Sequence, residues 1–195
     1  KVNPLLKKLN KNFISQYLKA CGIKDVKTYL KPQGSLLDNP FNYPDMDKAI
    51  DCLHHNLDKR IGIVIDSDCD GHCSAALLTI FLRSLGVDDI KVYFHTAKQH
   101  GLLDVEKTIQ EIDLLFVPDG GSNDAKECKK LIAKGINVII LDHHIIETEN
   151  PYAILINPYR DKEKLNTDIS GTGVVQKFCS AYYSRYRNCE WGEVY

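Results

Sequence analysis

Short β-branched runs that end at an acidic residue, with helical stretches between them, constrain this chain more than any other feature. Ile61–Ile65 (IGIVI) leads into the turn Asp66-Ser67-Asp68-Cys69-Asp70-Gly71. An apolar stretch follows through Ala75, Leu78, Phe81, Leu82 and Leu85, and Gly86 closes it. Runs of this length without polar alternation suit strands buried on both faces of a parallel sheet. The rhythm continues with strand Ile90–Phe94, helix Val105–Glu111, strand Leu114–Val117, helix Ser122–Lys134 and strand Val138–Leu141. Ile154–Ile156 reads as a fifth strand and Val174–Tyr183 as a further helix. The alternation predicts an α/β fold, a mainly parallel sheet flanked by helices.

The residues before this pattern behave differently. Between Lys1 and Lys31 there are eight lysines against one acid, Asp25. Leu5, Leu6, Leu9, Phe13, Ile14, Tyr17 and Leu18 recur at helical spacing, which predicts an amphipathic helix. Pro32, Gly34, Pro40 and Pro44 interrupt it, and a second helix is expected from Asp45 to Leu57. Residues 1–58 therefore read as a helical N-terminal segment and 59–195 as the α/β domain.

Composition narrows the function classes. The chain has 195 residues, 44% hydrophobic and 26% charged, which is globular composition of about one domain. A formal net charge of −1 gives no overall basic excess. No run of about 18 apolar residues exists to span a membrane, and no secretory leader pattern follows the N-terminal lysines. Seven cysteines without a CxxC pair indicate neither a disulfide framework nor a structural zinc site, so a reducing cytoplasm is expected.

The chemistry sits where strands end. Asp66, Asp68 and Asp70 follow the first strand, Asp119-Gly120-Gly121 follows the third, and Asp142-His143-His144 follows the fourth. Open α/β sheets bind ligands beyond the carboxyl ends of their strands. Carboxylates delivered there by three strands repel one another unless a cation joins them, and oxygen with imidazole donors suits manganese, magnesium or zinc. DxDxDG also opens a calcium-binding EF-hand loop, but Leu77 occupies the twelfth position, where that loop needs glutamate. An aspartate beside a helix also serves as an N-cap, and Asp70 reads either as that or as a support for the ligands. The DxD of haloacid-dehalogenase phosphatases leaves Asp142-His143-His144 unexplained.

In sequence order, IGIVIDSDCDGHCSAALLTIFLRSLG, LLFVPDGG, VIILDHH, LINP and SGTGVV resemble the DHH phosphoesterase superfamily, and its RecJ branch of single-strand-specific exonucleases in particular. The resemblance covers about Lys59 to Tyr183, and NPFNYPDMDKAI also resembles the segment that precedes the first motif in that branch. Other branches carry a histidine four residues before the first aspartate, where this chain has Gly62.

The resemblance implies two divalent metal ions, Mn2+ or Mg2+, held by Asp66 and Asp68, bridged by Asp119, with His143 on the second ion. It implies that Asp142 fixes ligand orientation and that His144 faces the scissile phosphate. These two would be the catalytic residues. His95, Lys98 and His100, in the loop after the second strand, stand where the branch has polar and basic residues near its substrate. Ser170, Gly171 and Gly173 open a helix whose N–H groups either hold a phosphate or form a capped turn. The expected substrate is single-stranded DNA or a short oligonucleotide. The expected activity is 5′-to-3′ exonucleolytic release of 5′-mononucleotides. The alternatives are a phosphodiesterase for short oligonucleotides or cyclic dinucleotides, and an inactive scaffold in a replication or repair assembly. The family carries a further ligand aspartate in a DLVALG-like stretch and then a second domain. The chain is expected to be a fragment that stops short of both.

Overall fold

The runs at Ile61–Ile65, Leu114–Pro118 and Asn137–Leu141 form strands covered on both faces, whereas the edge run Ile90–Phe94 leaves Val92 and Phe94 exposed. The computed structural model describes residues 11–31, 38–95 and 100–188. These fall into two compact units divided between Leu37 and Asp38. The first contains α1 (Lys11–Ala20) and α2 (Val26–Leu30), the latter capped by Asp25, which accepts from the Thr28 amide at 3.1 Å. Phe13, Ile14 and Tyr17 of α1 are exposed. The part of the expected helix before Lys11 lies outside the described residues.

The second unit carries α3 (Met46–His54), β1 (Ile61–Ile65), α4 (Cys69–Ser84), β2 (Ile90–Phe94), β3 (Leu114–Pro118), α5 (Ala125–Ala133), β4 (Asn137–Leu141), β5 (Ile154–Ile156) and α6 (Gly171–Tyr186). All five strands pair in parallel in the order β2-β1-β3-β4-β5. The three strands that end in acid, β1, β3 and β4, are therefore neighbours, and the chain order reverses between β1 and β3. A crevice at such a reversal is where open α/β sheets place their ligands. The ladder runs one residue past the strands: Asp119 N donates to Leu141 O at 2.8 Å and Asp142 N to Ile156 O at 3.0 Å.

One face of the sheet is covered by α3, α4 and α6, with Phe116, Phe178, Leu78, Leu82 and Ile50 in its core. The opposite face is covered by α5 and the segment before β3, around Leu102, Val105, Ile109, Leu115 and Leu131. Tyr43, Met46, Ala49 and Leu53 belong to the first of these cores, so residues 38–58 pack with the sheet and the structural division does not fall at residue 58.

The helix expected over Val105–Glu111 is corrected to a single 3-10 turn, Glu106–Thr108. Its apolar residues are buried as the spacing implied, but tertiary contacts override the helical propensity. Lys130 of α5 and Lys134, which caps that helix, hold Glu106 at 3.1 and 3.0 Å. The chain then extends, turns through a positive φ at Glu111, and returns to Arg60, where Asp113 N donates to the carbonyl at 2.8 Å and starts β3. The helix expected from Ser122 begins at Ala125.

Phe178 joins the helical layer to the sheet. It is fully buried and packs edge-on against Phe81 at 6.1 Å and Phe116 at 5.6 Å. Phe178→Ala should cost about 3–5 kcal/mol, read as a lower urea midpoint with an unchanged slope.

Candidate metal centre

The acidic turn after β1 folds as a helix start. Asp68 is the N-cap of α4, its Oδ1 accepting from Gly71 N at 3.0 Å. This corrects the reading of Asp70 as the cap. Asp70 lies in the first turn and reaches across to α6, accepting from Gly171 N at 2.8 Å, Thr172 N at 2.9 Å and Thr172 Oγ1 at 2.5 Å. Ser170 caps α6 and takes Gly173 N at 3.1 Å. Those three amides are thus already paired, so the Ser170-Gly171-Thr172-Gly173 segment is the capped turn of the two readings and offers none of them to a phosphate.

Two glycines let the helix starts close on the carboxylates. A side chain at Gly71 would meet the carbonyl of Asp66, 2.8 Å from the added carbon, and one at Gly171 would strike the Asp119 side chain, with Cγ at 2.6 Å. Asp119 itself adopts a left-handed backbone, φ 64°. Strain of this kind collects at functional sites.

Two groups of donors converge at this edge. Asp66, Asp68 and His100 form one and Asp119, His143 and His144 the other, each with its potential ligand atoms within 4.8 Å of one another. His100 Nδ1 stands 2.5 Å from Asp66 Oδ2. His143 Nε2 stands 3.2 Å from Asp119 Oδ1 and 3.8 Å from Asp70 Oδ2. Asp66 and Asp119 are buried, and the Oδ1 of each lacks a hydrogen bond. Burial, and then the nearby Asp70 and Asp68 carboxylates, push Asp119 up to about 8. Orphaned oxygens among like charges, faced by imidazoles and without a thiolate in either group, fit a hard or borderline divalent cation.

Asp142 is held differently. Although burial opposes its ionisation, hydrogen bonds from His144 and Ser122 keep its carboxyl down at about 2. It accepts from Ser122 N at 3.1 Å, His143 N at 2.7 Å, His144 N at 3.1 Å and His144 Nδ1 at 2.8 Å. The same contact raises His144 to about 9. With the proton fixed on Nδ1, Nε2 is the ring atom left to act elsewhere. Asn157 closes the arrangement, donating to Ser122 Oγ and to His144 O, both at 2.9 Å. Asn157 and Ser122 escape a reading by charged residues alone, and the only signal for Asn157 is its place in LINP.

His95 does not face outward as a nucleic-acid contact would. Its side chain is 2% exposed, with Nδ1 2.5 Å from Asp104 Oδ1 and Nε2 3.8 Å from Asp66 Oδ1. His100, half exposed, joins Asp66 rather than standing apart as a substrate contact. Lys98 lies outside the described residues. The surface reading of His54 and His55 agrees with their exposure, although His54 also stacks on Tyr186 at 3.9 Å.

Three outcomes are expected. Manganese binding should tighten as pH rises toward about 8, because Asp119 must lose its proton to coordinate. Calorimetry in buffers of different ionisation enthalpy should show that proton released. The Asp142–His144 contact stabilises fully between the ordinary carboxylate and imidazole ranges. Its contribution is lost as pH falls toward about 2, through Asp142, or rises through about 9, through His144. A pH series of melting temperatures should lose this dependence in His144→Gln. Gly171→Ala should displace Asp119 and weaken manganese binding more than it lowers the apo melting temperature.

The sequence profile for the N-terminal domain of the DHH family matches residues 60–192. The chain is 29% identical over 171 residues to YorK of Bacillus subtilis strain 168, named as a putative SPbeta prophage-derived single-strand DNA-specific exonuclease. The match covers 86% of this chain and 30% of that one. It is 27% identical over 190 residues to the single-stranded-DNA-specific exonuclease RecJ of Haemophilus influenzae, covering 91% of this chain and 32% of that one. The crystal structure of RecJ from Thermus thermophilus in complex with Mn2+ gives a TM-score of 0.65 at 26% identity, over 80% of this chain and 22% of that chain. A second RecJ structure bound to manganese gives 0.65 at 25% identity, over 73% and 38%. The chain spans about a third of the length of these curated relatives. With the profile covering most of its residues, and with the sheet and its acidic edge arranged as described, the chain belongs to the DHH family.

Proposed function

We propose that this domain is the catalytic part of a metal-dependent phosphodiester hydrolase, a 5′-to-3′ exonuclease on single-stranded DNA that releases 5′-mononucleotides in the cytoplasm. The observation that carries the reading is the pair of donor groups at the β1, β3 and β4 ends, with a buried carboxylate oxygen that lacks a hydrogen bond in each. The relatives' names supply the polymer. Two Mn2+ or Mg2+ ions bound there would activate water and stabilise the charge that develops on phosphate.

The chain's own residues divide the work. Asp66, Asp68 and His100 would hold one ion, and Asp119 and His143 the other, with the Asp70 and Asp68 carboxylates raising the Asp119 pKa. Asp70 joins the ligand candidates because its Oδ2 faces His143 while its hydrogen bonds tie α6 in place. Asp142 positions His144. Cationic His144, held by Asp142, would then place a charge and an N–H donor at Nε2, suited to a phosphate oxygen.

On a 5′-labelled single strand with manganese, the full-length protein should release labelled mononucleotide first, and a chelator should abolish the activity. Asp119→Asn should be inactive, while Asp142→Asn should lose about 10–100-fold in activity or metal affinity, as loss of a ligand's orienting partner does. Release of the 3′ nucleotide first would overturn the polarity. Cleavage confined to strands of a few nucleotides would favour the short-oligonucleotide alternative. Full activity in Asp119→Asn would overturn the metal centre.

A further inference from the structure

Asp66 meets two imidazoles, one at each carboxylate oxygen. His100 Nδ1 lies 2.5 Å from Oδ2, and His95 Nε2 lies 3.8 Å from Oδ1. The β1/β2 register explains the second approach. Phe94 pairs with Ile65, so His95 is the next residue beside Asp66 where the two strands end. The His95 side chain is 2% exposed, and among the described residues neither its Nε2 nor Asp66 Oδ1 has a hydrogen-bond partner. Buried polar atoms left this way are uncommon in a folded chain. The separation of the two is too long for a hydrogen bond. It is shorter than the about 4.2 Å that a nitrogen and an oxygen span when opposed across one ion.

The other ring nitrogen is already engaged. His95 Nδ1 stands 2.5 Å from Asp104 Oδ1. A proton on Nδ1, donated to that carboxylate, leaves a lone pair on Nε2, the form in which imidazole binds a metal. The segment that carries Asp104 is fixed on both sides. Leu102 N donates to Asp124 Oδ2 at 2.7 Å, and Glu106 is held by Lys130 and Lys134.

We propose that His95 is a ligand, through Nε2, of the ion that Asp66 holds, with Asp104 as the positioning residue behind it. The proposal rests on the metal centre described above and adds a nitrogen donor from its buried side. Each imidazole added to an oxygen-rich position favours manganese, cobalt and zinc over magnesium. His95 therefore biases this position away from magnesium.

Nitrogen NMR of the full chain labelled with 15N-histidine tests the ligand directly, with His95→Gln assigning the ring signals. Without metal, His95 should show a proton on Nδ1 and none on Nε2. Saturating zinc should move Nε2 from the unprotonated to the coordinated range and leave Nδ1 protonated. In manganese titrations followed by the EPR signal of the free ion, His95→Gln and Asp104→Asn should each weaken binding by about 10–100-fold. Magnesium affinity, read by competition, should fall less. A His95 Nε2 signal that stays in place while zinc binds, or unchanged manganese affinity in His95→Gln, would overturn the assignment and leave the metal centre standing. A chain that binds neither zinc nor manganese would overturn both.

Discussion

Five carboxylates brought to one edge of a parallel sheet repel one another, and the way each charge is met organises the structure around them. Asp68 takes an amide at the start of α4, and Asp70 takes two from the start of α6. Asp142 takes three from the loop that follows β4 and from the turn before α5. Helix starts supply such donors because their first amides have no partner within the helix, and the aligned peptide dipoles favour negative charge there. Asp66 and Asp119 receive no comparable set, and each keeps a buried oxygen without a hydrogen bond. The electrostatic deficit is therefore concentrated at two side chains, one on each side of the β1/β3 reversal. A divalent cation would resolve it.

Much of this is legible in the sequence because it is local. IGIVI, LLFVP and NVIIL carry their burial in their composition, and an acid after each apolar run marks the ligand edge before any fold is known. The strand order is not local, and without it nothing says that β1, β3 and β4 are adjacent. Asp70 illustrates the limit. DxDxDG fixes the three aspartates in sequence, but which of them caps α4 depends on backbone dihedrals, and its contact with α6 spans about a hundred residues of chain. His95 is a similar case, since a polar residue in a loop after a strand gives no sign that its side chain is enclosed between Asp104 and Asp66. The segment over Val105–Glu111 reads as helix because its apolar spacing is helical. The burial is there, but Lys130, Lys134 and the return to Arg60 decide the backbone.

The centre also shows how small residues set the distances between large charges. Gly71 and Gly171 bring two helix starts against Asp66 and Asp119, closer than a methyl group would allow. The SGTG stretch is accordingly a spacer and a set of donors for Asp70, and its glycines matter through what they leave out. Asn157, by joining Ser122 and the His144 carbonyl, ties the loops after β3 and β4 to the one after β5.

Helix α6 is held at both ends. Its first turn is bound to Asp70, and near its last turn Tyr186 Oη donates to Asp51 of α3 at 2.7 Å while Arg185 pairs with Asp47. Sixteen residues make a strut about 24 Å long. A strut pinned at the carboxylates and again at α3 keeps its two anchors at a fixed separation. The aromatic stack of His54 and Tyr186 lies at that far end, so a single helix joins the acidic sheet edge to the outer side of α3.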